Sequence, residues 1–202
     1  MPCTGPLGRA GRTPSGRRHC RAPAVRKQGK EHARARPADG GQIMKSLLYI
    51  QASPRRDRSR SITVADRFVQ ACRDRQKGLE VIRLNLFEAD LPVFDGAALE
   101  AKYAILHGQD VRPEHKAAWA EVEAVIEAFR RADAYVFAVP MWNFGLPYRL
   151  KHYFDVLIQP GYTFTFDPDA GYSGLVTGKP AMVVYARGGA YPADTPMAAY
   201  DL

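Results

Sequence analysis

The sequence predicts an α/β fold: a doubly wound parallel sheet with helices on both faces. Three observations carry this prediction for the 202-residue chain. Short apolar runs recur at 46–52, 79–86, 133–140 and 179–189. The segments between them space their apolar residues by three and four. The third run, AYVFAV, is apolar without alternation, as a strand buried on both faces should be.

SLLYIQA (46–52) is the first strand, and the polar SPRRDRSRS (53–61) breaks it. Ala65, Phe68, Val69 and Cys72 then form one helical stripe, with Ser59 or Ser61 as its N-cap and Gly78 as its end. LEVIRLNL (79–86) is the second strand. DLPVFDG reads as a loop and AALEAKYAILHG as a short helix. RPEHKAAWAEVEAVIEAFRRA is a strong helix, with Trp119, Val122, Ile126 and Phe129 on one face. DAYVFAVP (133–140) is the third strand. In LPYRLKHYFDVLI the stripe is Leu150, Tyr153, Phe154, Leu157 and Ile158, and Pro147 suits the first helical turn. GYTFTFDPDAGYSGLV reads as a hairpin, and KPAMVVYARGG as a fourth strand with a glycine turn.

The net charge of +8 is unevenly placed. Residues 1–43 hold ten Lys/Arg against two Asp/Glu, which leaves 19 of each sign in 44–202. The basic segment has no aromatic residue and is rich in Arg, Gly and Pro, so it cannot bury enough surface to offset ordering entropy. It is expected to be a disordered extension, with the folded domain spanning 44–202. It lacks the apolar core of a secretory signal. With the charge confined there, a nucleic-acid footprint is not expected of the body. No apolar run approaches the ~20 residues of a membrane span. The three cysteines suggest neither a disulfide framework nor a metal site, which points to a reducing cytoplasm.

Parallel sheets of this kind bind ligands beyond the carboxyl ends of their strands. Three strand-end loops therefore matter. The first carries Ser53, Ser59 and Ser61 ahead of a helix N-terminus, a setting suited to a phosphate monoester. It has neither GxGxxG nor a P-loop. The other reading of these serines is one cap and loop filler, and the run Arg55, Arg56, Arg58 and Arg60 reads as solvated. The second loop, PMWNFG, is unusually aromatic. Met141, Trp142 and Phe144 can line a planar ligand with Asn143 at its edge, or can plug the sheet end or a subunit interface. The third loop, ARGG, is by itself a plain turn. His107, His115 and His152 have no evident partners, and no triad or metal constellation appears.

Across LLYIQASPRRDRSRS, VPMWNFGLPYRLKHYFDVLIQPGYTF and GLVTGKPAMVVYARGG, the chain resembles the FMN-dependent NADH azoreductase and NAD(P)H quinone reductase family of flavodoxin-like fold. The resemblance implies FMN as cofactor, NADH or NADPH as donor, and a quinone or azo compound as acceptor, in ping-pong order. It implies no catalytic side chain, because the flavin carries the chemistry. It places Ser53, Ser59, Arg60 and Ser61 on the FMN phosphate. It places Met141, Trp142, Asn143 and Phe144 along the ring, with Ala186, Arg187, Gly188 and Gly189 also in contact. Many members have Tyr at Trp142 and Ser or Thr at Ala186. Tyr162 and Phe164 are expected to line the substrate side as a lid. The resemblance also implies a homodimer. Members continue past the equivalent of Leu202 with a helix, a fifth strand and a final helix, so the sheet is expected to lack its fifth strand. The alternatives are a flavodoxin-type electron carrier or an inactive truncated form. The aromatic 160–175 segment and the neutral body favour the enzyme.

Overall fold

The computed structural model describes residues 44–200. The expected extension over 1–43 lies outside them. The elements are β1 (Ser46–Gln51), α1 (Arg60–Arg75), β2 (Glu80–Asn85), α2 (Gly96–Leu106), α3 (Pro113–Arg131), β3 (Ala134–Pro140), α4 (Tyr148–Leu157), β4 (Phe164–Asp167), β5 (Gly171–Gly174) and β6 (Ala181–Ala186).

Four strands form one parallel sheet in the order β2-β1-β3-β6. The order reverses between β1 and β3, so the switch point lies at the ends of those two strands. Register aligns the exits: Gln51 pairs with Ala138, and Pro140 with Ala186. The three strand-end loops therefore leave the same edge of the sheet side by side.

The two faces of the sheet are packed separately, as the period of two requires. Leu47, Tyr49, Val136 and Ala138 point to α1 and meet Ile62, Ala65 and Val69. Leu48, Ile50, Phe137 and Val139 point the other way and meet Trp119, Val122 and Ile126 of α3 and Leu150, Tyr153 and Val156 of α4. Each fully buried side chain of this size contributes about 1.5–3 kcal/mol, so the two faces together position the loops rigidly. At the opposite edge, Asp133 Oδ2 accepts from the Lys45 N–H (2.8 Å), the Ser46 N–H (2.9 Å) and the Ser46 hydroxyl (3.1 Å), tying the start of β1 to β3.

Several sequence expectations need correction. The first helix ends at Arg75 rather than at Gly78. Gly78 instead takes a left-handed φ of 82° in the turn to β2. Phe68 and Ile158 are exposed, and Val156 holds the buried place on α4. Ile158 falls just past the last helical turn, in extended backbone, so helical spacing no longer governs it. Pro147 is the N-cap of α4, one place before the first turn. The three histidines among the described residues have partners: His107 meets the Tyr103 carbonyl, His115 the Arg112 guanidinium, and His152 the Pro92 carbonyl at 2.8 Å.

β4 and β5 form the expected antiparallel hairpin. It lies between the end of α4 and the start of β6. Ala181, at the start of β6, pairs with Tyr135 near the beginning of β3. β6 is one of the two outer strands of the sheet, and Met182 and Val183 on it stand exposed.

Candidate functional site

The first loop turns sharply at Arg56, whose φ is 50°, before entering α1. Ser53, Ser59 and Ser61 are each at most 3% exposed, a buried hydroxyl cluster where helix begins. Ser59 is the N-cap, but its hydroxyl lies 3.1 Å from that of Ser61, and no side chain caps the helix. The first turn holds no acidic residue. An uncapped helix start with paired hydroxyls and no competing carboxylate is what an anionic group requires. Arg55, Arg56, Arg58 and Arg60 are exposed, as the solvated reading expects, and Arg56 pairs with Glu88 at 2.7 Å.

The second loop is a two-residue turn. Trp142 and Gly145 exchange both backbone hydrogen bonds, each at 2.9 Å. Its central residues, Asn143 and Phe144, have φ of 48° and 61°. Positive φ at both places is the I′ pattern, for which Asn-Gly is the favoured pair. Asn tolerates this region, whereas Phe is costly there. Arg56, Asn143 and Phe144 are the only non-glycine residues with positive φ among the described residues. All three fall in the strand-end loops, where backbone strain is characteristic of binding sites.

The third loop joins the second directly, since the Met141 N–H donates to the Ala186 carbonyl at 2.7 Å. The first is joined through the Ala52 N–H to the Ala138 carbonyl at 2.9 Å. Ala186 is half-buried, and Arg187, Gly188 and Gly189 are exposed. Arg187 stacks over the Tyr191 ring at 5.0 Å. A Cβ built at Gly188 would meet no atom of the chain. The open space there accommodates a ligand edge.

The structure thus brings Ser53, Ser59, Arg60 and Ser61 into one loop beside Met141, Trp142, Asn143, Phe144 and the 186–189 turn. A phosphate at the buried hydroxyls and a flat ring beside the aromatic turn both fit the residues present. Tyr162 and Phe164 have other partners. Tyr162 accepts from the Trp119 indole N–H and donates to Glu123, and burial followed by that carboxylate pushes its phenol up. Phe164 packs against Tyr172 within the hairpin.

Sequence reasoning missed a fourth contributor. Phe87, just beyond β2, packs its ring against Trp142 (5.7 Å) and edge-on against Tyr148 (5.8 Å). The rule that singled out three strand-end loops applies equally to the end of β2, and would have marked Phe87.

No group of His, Cys, Asp or Glu able to hold a metal ion occurs among the described residues, nor does a helix long and apolar enough to cross a membrane.

The chain is similar in sequence and fold to known proteins. A family of flavodoxin-like fold matches residues 45–201. An FMN-dependent NADH:quinone oxidoreductase of Nitratidesulfovibrio vulgaris (strain Hildenborough) is 53% identical over 158 residues, covering 78% of this chain and 75% of that protein. One from Desulfotalea psychrophila is 47% identical over 148 residues, covering 73% and 70%. Among solved structures, the FMN-dependent NADH-azoreductase of Bacillus anthracis in complex with FMN superposes with a TM-score of 0.69 at 28% identity, covering 78% of this chain and 76% of that one.

Proposed function

The chain belongs to the FMN-dependent NADH:quinone oxidoreductase and azoreductase family of flavodoxin-like fold, and on that premise we propose that it is an FMN-dependent NADH oxidoreductase reducing quinones and cleaving aromatic azo compounds. The observation that carries the reading is the convergence of the buried serine cluster and the strained aromatic turn at one switch point.

FMN held there would supply the two-electron chemistry that links NADH to the acceptor in ping-pong order. The residues of the chain do the binding and positioning. Ser53, Ser59 and Ser61 present hydroxyls, and the α1 N-terminus presents N–H groups, to the phosphate, with Arg60 adding charge at the rim. Met141, Trp142 and Phe144 form the wall along the ring, and Asn143 offers its amide to a ring edge. Ala186, Arg187, Gly188 and Gly189 give backbone close approach on the adjoining side. With no titratable side chain assigned to hydride transfer, the protein's part is to orient two flat molecules and exclude water between them. NADPH is a second possible donor. The chain acts as a homodimer in a reducing cytoplasm, a setting consistent with the free thiol of Cys72.

A titration of the purified protein with FMN, followed by NADH and a benzoquinone, tests the reading. The expected result is stoichiometric flavin binding and quinone-dependent NADH oxidation. A protein that FMN cannot reconstitute refutes it. Flavin binding without NADH oxidation would favour an electron carrier instead.

A further inference from the structure

Arg149 lies in the first turn of α4, four residues beyond the aromatic turn. Its guanidinium reaches back across the molecule. Nε donates to the Leu86 carbonyl at 2.6 Å and a terminal nitrogen to the Ala89 carbonyl at 2.5 Å. Among the described residues it forms no ion pair with a carboxylate. A half-buried arginine that spends its fork on two backbone carbonyls is fixing a loop rather than balancing a charge.

That loop is the turn after β2. Asn85 closes it from within: its side-chain oxygen accepts from the Phe87 N–H at 3.1 Å, and its carbonyl accepts from the N–H groups of Glu88 and Ala89. Arg149 holds it from outside, on both flanks of Phe87. The held residue is the one whose ring meets Trp142 and Tyr148. Trp142 and Tyr148 also meet each other, at 6.5 Å. The indole therefore packs against two rings, Phe87 and Tyr148, and the turn that carries Phe87 is the one Arg149 holds.

We propose that Arg149 is a positioning residue for the ring-binding loop: by pinning the Leu86 and Ala89 carbonyls it seats Phe87 against Trp142, and so fixes the orientation of the indole toward the flavin ring. The inference rests on the reading that the flavin lies along Met141–Phe144. Lysine cannot replace this arginine fully, because a single ammonium group lacks the planar fork that spans two carbonyls.

The test compares Arg149→Met, Arg149→Lys, Phe87→Ala and the double variant Phe87→Ala/Arg149→Met. Two quantities are read: the FMN dissociation constant, by quenching of flavin fluorescence, and the near-ultraviolet circular dichroism of the apoprotein. The Trp142 share of the latter is assigned by difference from Trp142→Phe. Arg149→Met is expected to weaken FMN about tenfold, roughly 1.4 kcal/mol, and to lose the Trp142 band while unfolding stays cooperative. Arg149→Lys falls between it and the wild type. Phe87→Ala reproduces both losses, and the double variant is no worse than Phe87→Ala alone, since the arginine acts through that ring. Additive losses, or a Trp142 band unchanged in Arg149→Met, overturn the proposal. Should Arg149→Met not fold, Arg149→Lys carries the same comparison. A wild-type protein that takes up no FMN refutes the functional reading, and the apoprotein spectra still decide the positioning role.

Discussion

Phe144 stands where a two-residue turn of this class asks for glycine. Left-handed backbone costs a non-glycine residue about 1–2 kcal/mol, and the exposed phenyl ring recovers only part of that through its contact with Tyr200 at 4.7 Å. The remaining strain has an explanation if the ring serves a ligand. Phe144→Gly is therefore expected to move two properties in opposite directions. The apoprotein should gain about 1 kcal/mol, a rise in melting temperature of roughly 3 °C, while FMN binds more weakly. Calorimetry of the apoprotein and a flavin titration measure the two. A variant that loses stability would show that the turn is not strained in the way its φ values imply.

The elements were largely legible because each carried its own periodic signal. The apolar run of β3 and the Trp119–Val122–Ile126 stripe of α3 appear where spacing put them. What could not be read depended on partners distant in sequence. Nothing in EADLPVF announces that Arg149 and His152, some 60 residues later, hold its carbonyls. Nor did the aromatics at 162–166 reveal their partners, Trp119 and Glu123 for Tyr162 and Tyr172 for Phe164. The clamp between β1 and β3 was equally hidden. The Asp133 carboxyl is held below its ordinary value, first by the Ser46 N–H, then by the Lys45 N–H. A carboxyl depressed by folding stabilises fully above its unfolded value, about pH 4, and loses that contribution as pH falls through the lower folded value. Asp133→Asn should thus be less stable than the wild type at pH 7, by about 1–2 kcal/mol. The gap should close progressively below pH 4, and denaturant melts at pH 7 and pH 3 would reveal a gap that stays constant if the clamp is unimportant.

For the whole molecule, charge and fold are separate. The excess of basic residues lies in 1–43, whereas the family match spans 45–201, and residues 44–202 are formally neutral. A protein beginning at Met44 is expected to keep the melting temperature and FMN affinity of the full chain within error, while its isoelectric point falls toward neutrality. A loss of either property on truncation would assign the segment a structural role. The alignment of the three strand exits also has a consequence for biosynthesis. Ser53 and Ala186 lie on either side of β3 at the sheet's exit edge but are 133 positions apart along the chain. At roughly 5–20 residues per second, a ribosome delivers the last loop on the order of ten seconds after the first. No partial chain can offer the complete site, because Met141 has no Ala186 carbonyl to lean on until β6 has been made and paired. On the proposed site, capture of FMN is thereby expected to follow the synthesis and pairing of β6.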